Sequence, residues 1–309
     1  MADTPVAALT AAGTLAAVTA LAAPRRAAGA AGAGAPGEVL VLSPHPDDAV
    51  LSCGALLTAL LDPRAALPVR VTVLTVFTEA GPPPYTLSAR RFLRLCGAVD
   101  AAELYAERRA EDRAVLGRLG VARFHAGFVD GLFRRDPAPG AVRRRAARLV
   151  PELGQIYPTY RLHLVRGGIS PRDAGTLRLV THTVRDLLAP GRGVLFAPLG
   201  VGGHADHLLV RTAAELTGLP VLYYSDFPYN TRTGTAIGAG AGASAGAGAR
   251  EGRFDDRLDA KAELLRGYRT QFPGLFPDGT VPLVPEVYAL PAGAALPRRA
   301  ASPAPGGAS

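Results

Sequence analysis

Short apolar runs alternate with amphipathic segments between residues 38 and 290 of the chain. The runs are rich in Val and Leu, which is typical of strands that are buried on both faces. They predict strands at Glu38–Ser43, Val69–Phe77, Ala122–Phe128, Val194–Pro198 and Val221–Ser225. The segments between them carry apolar residues at helical spacing, which predicts helices at 49–61, 101–119, 142–153, 173–188, 207–216 and 255–268.

The repeated order of strand and helix predicts an α/β fold with a mainly parallel sheet. Right-handed crossover connections then place helices on both faces of that sheet. In such folds, ligands bind at the carboxyl ends of the strands. Polar residues that directly follow a predicted strand are therefore the first candidates for chemistry.

Three segments rich in Ala, Gly and Pro bound or interrupt this pattern. We expect residues 1–37 to be a disordered or loosely helical extension, residues 234–252 a flexible surface loop, and residues 291–309 an unpacked tail. The mildly apolar stretch Val6–Ala23 lacks a preceding cationic region and is rich in Ala rather than Leu. It is therefore a poor signal peptide and a poor transmembrane span, and we expect a cytoplasmic protein without stable membrane insertion.

Composition narrows the possible partners. The formal net charge is +8, but Lys261 is the only lysine and the arginines are scattered along the chain. Aromatic residues make up 6% and there is no Trp, so few side chains can stack on bases, and we do not expect a nucleic-acid partner. Two cysteines, Cys53 and Cys96, exclude a disulfide scaffold and a cysteine-rich zinc cluster. A metal would therefore bind mainly to histidines and carboxylates.

The first chemical motif is Pro44–Asp48, directly after the first predicted strand. One imidazole and two carboxylates stand within four residues, and Pro44 and Pro46 stiffen the segment. An Asp that caps the following helix would explain one acid but not both. Neighbouring carboxylates are costly without a counter-charge, so the motif predicts a cation site with His45 and Asp48 as ligands and Asp47 as a base.

The second motif is Gly202–His207, after the fourth predicted strand. Its two histidines, His204 and His207, are three positions apart at the start of a predicted helix, which places them on one face. Three protein ligands with an open position are typical of a catalytic zinc site. His45, Asp48 and either histidine of this motif would complete such a site, and the remaining histidine would stabilise an oxyanion.

Both motifs resemble a known family. Ser43–Gly54 (SPHPDDAVLSCG) and Pro198–Arg211 (PLGVGGHADHLLVR) are similar to the two signature motifs of the PIG-L/LmbE-like zinc-dependent N-acetylglucosaminyl deacetylases. Softer similarities lie at Glu107–Val121, Tyr223–Tyr229 and Lys261–Gln271, so that the resemblance covers residues 38–290. It implies a single Rossmann-like α/β domain over that range.

The resemblance also implies roles for the motif residues. The ligands of Zn²⁺ fall on His45, Asp48 and His207. The general base falls on Asp47, and the histidine that stabilises the oxyanion falls on His204. A site of two histidines and one aspartate also accepts other divalent ions such as Fe²⁺.

Further carry-overs concern the substrate. Arg108 and Asp130 match residues that contact the sugar in the family, and Glu79 is a weaker match. The implied reaction is removal of an N-acetyl group from an amino sugar or a related glycoconjugate. The alternatives are a longer-chain N-deacylase or amidase of secondary metabolism with the same site, and a non-catalytic metal- or sugar-binding module on the same fold.

Overall fold

A computed structural model describes residues 8–24, 36–165, 168–233 and 249–291, with the side chains of residues 232 and 233 excluded. Seven strands form one sheet in the order β3-β2-β1-β4-β5-β7-β6. Neighbours from β3 to β5 pair in parallel, whereas β7 is antiparallel to both β5 and β6. The strands are β1 Gly37–Ser43, β2 Val69–Glu79, β3 Ala122–Val129, β4 Gly193–Pro198, β5 Val221–Tyr224, β6 Arg250–Phe254 and β7 Glu286–Leu290.

Ten α-helical segments, some only one turn long, accompany the sheet in the described residues. They are α1 Ala11–Ala22, α2 Asp48–Leu60, α3 Leu87–Leu95, α4 Ala101–Leu119, α5 Ala141–Ala146, α6 Ala174–Leu187, α7 Ala205–Thr217, α8 Tyr229–Thr233, α9 Leu258–Leu265 and α10 Phe272–Leu275. Short 3₁₀ turns lie at Pro151–Gly154 and Pro171–Asp173, and a π-helical turn lies at Tyr160–Leu164. Among the described helices, none is long and apolar enough to cross a membrane.

The two largest parts of the core lie on opposite faces of the sheet. Alternate residues of β1 point to opposite faces: Val39 and Val41 pack with α1, α2, α4 and α9, whereas Leu40 and Leu42 pack with α6 and α7. This period of two is expected for a strand covered on both sides. The predicted α/β fold with a mainly parallel sheet and helices on both faces is confirmed.

The N-terminal region corrects the expected disordered extension over residues 1–37, of which residues 8–24 and 36–37 are described. Thr10 caps α1 by accepting a hydrogen bond from the backbone of Gly13 at 3.4 Å. The helix buries Ala17 and Val18 completely. Small side chains permit this close packing. The prediction missed it because it relied on large apolar residues, whereas this segment is rich in Ala.

Two other expectations need correction. The loop expected over residues 234–252 overlaps β6, which begins at Arg250; residues 234–248 lie outside the described part. Leu9 pairs with this strand through backbone hydrogen bonds to Glu251 (2.8 Å) and from Arg253 (3.0 Å), so that β6 gains a second neighbour. The helix predicted at 142–153 is instead α5 followed by a 3₁₀ turn, because Pro151 cannot continue the hydrogen bonds of a helix.

Candidate functional site

The two sequence motifs meet at the carboxyl edge of the parallel sheet. The first follows β1 and the second follows β4, and these strands are direct neighbours. Asp130 comes from the loop after β3, and β3 lies two positions from β1 in the sheet. All three segments line one cavity of about 750 Å³. Of the predicted residues, His45, Asp47, Asp48, Arg108, Asp130, His204 and His207 line it.

Hydrogen bonds within the first motif fix its shape. Ser43 Oγ donates to the carbonyl of His45 at 2.7 Å and accepts from the backbone N–H of Ala49 at 2.9 Å. The backbone N–H of His45 donates to Asp48 Oδ2 at 2.8 Å. Asp47, between them, has a φ of 119°, which L-residues rarely adopt. The turn therefore holds His45, Asp47 and Asp48 in one tight group before α2.

Three potential ligand atoms converge on one point. Nδ1 of His45 lies 3.1 Å and Nε2 of His207 lies 3.4 Å from Asp48 Oδ2, and all three atoms lie within 4.8 Å of one another. The other nitrogen of each ring faces a further carboxylate: His207 Nδ1 is 2.6 Å from Asp226, and His45 Nε2 is 3.1 Å from Asp206. When these outer nitrogens carry the protons, the inner nitrogens present lone pairs beside the Asp48 carboxylate. Two imidazole nitrogens and one carboxylate oxygen fit the donor set of a divalent zinc site.

A second grouping, of His45, His204 and Asp206, is also close enough to hold an ion. Asp206 is, however, already engaged by other donors. Its carboxylate accepts from the backbone of Gly131 at 2.8 Å and from the guanidinium of Arg134. Both oxygens of Asp206 are thus engaged, whereas Asp48 accepts one backbone hydrogen bond, on Oδ2, so the first grouping is the better candidate metal centre.

Burial and neighbouring charge perturb the titration of the cluster. Burial would raise the pKa of Asp48, but the opposing charge of His207 and hydrogen bonds from His45 hold that pKa well below its usual range. Burial likewise opposes the charged form of His207, yet Asp48 and Asp226 raise its pKa above the usual value. The carboxylates thus make the space between these side chains strongly favourable for a cation.

Asp47 lies beside this group but outside the ligand set. Burial, followed by the negative charge of Asp48, raises the pKa of Asp47 to about 8. The nearest counter-charge is Arg108, whose Nη2 lies 3.8 Å from Asp47 Oδ2. A carboxyl group that titrates near neutral pH is suited to accept and return a proton.

His204 is buried at the start of α7, with its ring centroid 5.2 Å from that of His45 and 5.3 Å from that of His207. Burial, with the nearby charge of His45, lowers the pKa of His204 to about 3. Its Nδ1 accepts from the backbone N–H of Asp206 at 3.3 Å. The neutral ring then carries its proton on Nε2, where it can donate a hydrogen bond.

The predicted substrate-contacting residues separate into two groups. Arg108 and Asp130 are buried at the cavity and meet at Tyr105, which donates to Asp130 at 2.5 Å and stacks beneath the Arg108 guanidinium at 5.0 Å. Glu79 does not line the cavity, contrary to expectation. It pairs with Arg109 of α4 at 2.7 Å, and that ion pair keeps its carboxylate in the partly exposed region at the end of β2.

Two buried carboxylates in the site were not predicted. Asp206 stands between the histidines of the second motif, and Asp226 follows the end of β5. Both orient a candidate ligand: Asp206 contacts His45, and Asp226 contacts His207. Each of them follows a parallel strand, and that position could have identified it as a candidate site residue. The motif pattern drew attention to the histidines instead.

Comparisons with known proteins point in one direction. A family model described as PIG-L, GlcNAc-PI de-N-acetylase, matches residues 40–216, more than half of the chain. The chain is 33% identical over 199 residues to the 2'-N-acetylparomamine deacetylase of Streptomyces fradiae, an alignment that covers 62% of this chain. The chain spans 58% of the length of that curated relative.

Solved structures share the fold. The zinc-inhibited form of teicoplanin deacetylase Orf2 has a TM-score of 0.59 at 25% identity, covering 82% of this chain and 97% of that chain. The A40926 pseudoaglycone deacetylase Dbv21 has a TM-score of 0.55 at 22% identity, covering 82% of this chain and 96% of that chain. The arrangement of strands and helices is thus shared with these enzymes over most of their length.

Proposed function

Because the chain belongs to the PIG-L family, described as GlcNAc-PI de-N-acetylases, we propose that it is a metal-dependent hydrolase that removes the N-acetyl group of an amino sugar. The observation that carries the proposal is the convergence of His45, Asp48 and His207 beside Asp47 and His204 in one cavity. The names of the relatives support the reaction: one acts on 2'-N-acetylparomamine and another on teicoplanin. We extend the substrate class, an N-acetylated amino sugar or its conjugate, to this chain.

His45, Asp48 and His207 would hold the metal ion, and Zn²⁺ fits their donor set. The zinc-inhibited form of a related deacetylase is in keeping with a site that binds this ion. When bound, such an ion polarises an amide carbonyl and lowers the pKa of water. Its positive charge would also lower the pKa of the neighbouring Asp47, so that the carboxylate is available at neutral pH.

The residues of the chain divide the proton and charge transfers of amide hydrolysis. Asp47 accepts a proton from the attacking water and delivers it to the leaving amine. His204 stays neutral and donates from Nε2 to the oxyanion that develops on the carbonyl. Arg108 and Asp130, joined through Tyr105, supply a charged and hydrogen-bonding wall for the sugar.

The test joins metal content with product release. Protein purified without chelator should contain about one divalent ion per chain and release acetate from N-acetylated amino sugars such as N-acetylglucosamine. His207→Ala should lose both the ion and the activity. His182→Ala is the matched control, because His182 is 76% exposed and pairs only with Asp186 on α6 in the described structure.

Each alternative has a distinct outcome. Bound metal without release of any acid would favour a non-catalytic module, and faster release of octanoate from N-octanoylglucosamine would favour a longer-chain N-deacylase. Wild-type protein that binds no ion after reconstitution with excess zinc would contradict the proposal.

A further inference from the structure

Arg134 is a buried arginine that lies outside the set of residues lining the cavity. It belongs to the loop after β3 and is 6% exposed. Its Nη1 donates to the backbone carbonyl of Val129 at 3.1 Å, and its own carbonyl accepts from the backbone N–H of Ile156 at 3.0 Å. Because a guanidinium stays charged and is costly to bury, the carboxylates that surround it indicate what it does.

Two buried carboxylates share the Arg134 guanidinium. Nη2 donates to Oδ1 of Asp206, and Nε lies 3.1 Å from Oδ2 of Asp173. Both aspartates are 0% exposed, so water does not hydrate either charge. The phenol of Tyr157 also donates to Oδ2 of Asp173, at 2.9 Å. The guanidinium thus connects the second sequence motif to the 3₁₀ turn Pro171–Asp173.

Asp206 connects Arg134 to a candidate metal ligand. Its Oδ2 lies 3.1 Å from His45 Nε2 and accepts from the backbone N–H of Gly131 at 2.8 Å. Since Arg134 holds the other oxygen, the carboxylate cannot rotate without losing a partner. With a proton on Nε2 directed at this fixed carboxylate, Nδ1 of the same ring presents its lone pair beside Asp48.

The packing around the pair supports the same arrangement. The guanidinium carbon of Arg134 lies 4.6 Å from the centre of the Phe77 ring, and this fully buried ring lies 6.0 Å from the His45 ring. A Cβ atom at Gly131 would lie 3.0 Å from both Arg134 Nη2 and Asp206 Oδ1. The ion pair therefore forms in a space that a glycine leaves open.

We propose that Arg134 is a positioning residue of the metal centre: acting through Asp206, it holds the His45 ring in the orientation that presents Nδ1 to the ion. The inference rests on the proposed function for the identity of the ligands. It adds a residue that contacts neither the ion nor the substrate. Arginine suits this place because its planar fork contacts two carboxylates and a carbonyl at once, whereas the ammonium of lysine is a single point charge.

Arg134→Lys keeps the positive charge and removes the fork. The affinity for Zn²⁺, measured in competition with a fluorescent chelator, should fall about 10-fold, as for other residues that orient a ligand. Arg135→Lys is the matched control at the next position. Arg135 is exposed, and its guanidinium donates to the carbonyls of Pro82 (2.6 Å) and Pro83 (2.9 Å). The control should bind Zn²⁺ as tightly as the wild type.

A double variant shows whether Arg134 acts through Asp206. Asp206→Asn alone should lower the affinity for Zn²⁺ about 10–100-fold. Arg134→Lys added to Asp206→Asn should then change the affinity by less than about 2-fold, because the effects of residues in one network do not add. An arginine that only stabilises the fold would lower the affinity by the same factor in both backgrounds.

Gly131→Ala tests the same pair without changing any charge, and it serves if Arg134→Lys fails to fold. The added methyl group would lie 2.6 Å from Leu164 Cδ1, which can move, and 3.0 Å from both members of the ion pair, which must separate. The affinity for Zn²⁺ should fall about 10-fold. Gly140→Ala is the control, because a Cβ atom there meets no described atom within 4 Å.

The inference is overturned if folded Arg134→Lys or Gly131→Ala binds Zn²⁺ as tightly as the wild type. It is also overturned if Arg135→Lys loses the same affinity, or if the loss persists in full beside Asp206→Asn. Acetate release separates this failure from failure of the proposed function. Wild-type release of acetate with unchanged affinities in the variants overturns only the inference. The expected losses of affinity, with no acetate released by the wild type from N-acetylated amino sugars, overturn only the proposed hydrolysis.

Discussion

Asp47 combines a constrained backbone with a carboxyl group whose nearest counter-charge is the guanidinium of Arg108. Its φ of 119° is held by the turn between β1 and α2, and its side chain lies outside the three-atom ligand group. Proton transfer by such a group contributes typically 10²–10⁴-fold to a rate. Asp47→Asn should therefore lower kcat of acetate release by about 10²–10⁴-fold while the metal content stays the same.

Asparagine is suited to this test because its short polar side chain tolerates positive φ better than most residues. Asp186→Asn, at a position 67% exposed on α6, serves as the control and should leave kcat unchanged. An Asp47→Asn protein with full activity would show that another group accepts the proton.

Asp226 differs from Asp47 because it contacts His207, a candidate ligand of the ion. Its Oδ1 lies 2.6 Å from His207 Nδ1, while Oδ2 accepts from the backbone of Val201 at 2.8 Å. Asp226→Asn removes the negative charge that orients His207 and increases its basicity. Affinity for Zn²⁺ should fall about 10–100-fold in a chelator competition, whereas Asp256→Asn, at a position 65% exposed, should have no effect. Equal affinities would mean that the loop alone orients His207.

At the scale of elements, α2 is anchored to β7 and to α9, which packs on the same face of the sheet as α2. The carboxylate of Glu286, at the start of β7, accepts from the backbone of Ala55 (2.9 Å) and of Leu56 (3.0 Å) in that helix. Lys261 of α9 pairs with Glu286 at 3.1 Å, and both side chains are buried. This contact connects α2, which begins at Asp48, to α9 and β7.

Removal of one partner of this pair should be costly. Lys261→Met leaves the Glu286 charge without its ammonium and should lower the free energy of unfolding by about 3–5 kcal/mol. The control, Arg266→Met, breaks an exposed pair with Glu263 and should cost less than about 1 kcal/mol. Urea denaturation of both variants makes the comparison, and similar midpoints would show that the buried pair is not needed.

The helices and strands differ in how well the sequence predicts them. The parallel strands and the larger helices have local signals, so β1, β2 and α4 were predicted within two residues at each end. Helix α1 and strand β6 have weak local signals. Strand β6 reads Arg-Glu-Gly-Arg-Phe and is stabilised by neighbours that are distant in sequence, namely Leu9 and β7.

The candidate site follows the same division. The two motifs predicted which of their residues would converge, because parallel strands end at one edge. They did not predict that Arg109 would pair with Glu79, nor that Asp226 would contact His207. Such contacts depend on how α4 and the loop after β5 pack, which no short pattern contains.

On the scale of the whole molecule, the cluster of buried carboxylates makes stability depend on the ion. Asp47, Asp48 and Asp226 are each at least 94% buried close to one another. An ion that binds only the folded chain stabilises it by about 2.7 kcal/mol at one hundred times its dissociation constant. Thermal unfolding should therefore occur at a higher temperature with Zn²⁺ than with a chelator. His207→Ala should show no such difference. A wild-type unfolding midpoint that does not change with Zn²⁺ would contradict a metal site formed by the folded chain.

The pairing of Leu9 with β6 has a consequence for the order of folding during synthesis. Thr14 of α1 donates to the carbonyl of Arg253 at 2.9 Å, a contact between residues 239 positions apart. Helix α1 leaves the ribosome first, whereas β6 is among the last strands to be made. The contacts between α1 and β6 can therefore form only after most of the chain has been made. They form late in synthesis, and a chain that stops before residue 250 leaves α1 without this strand.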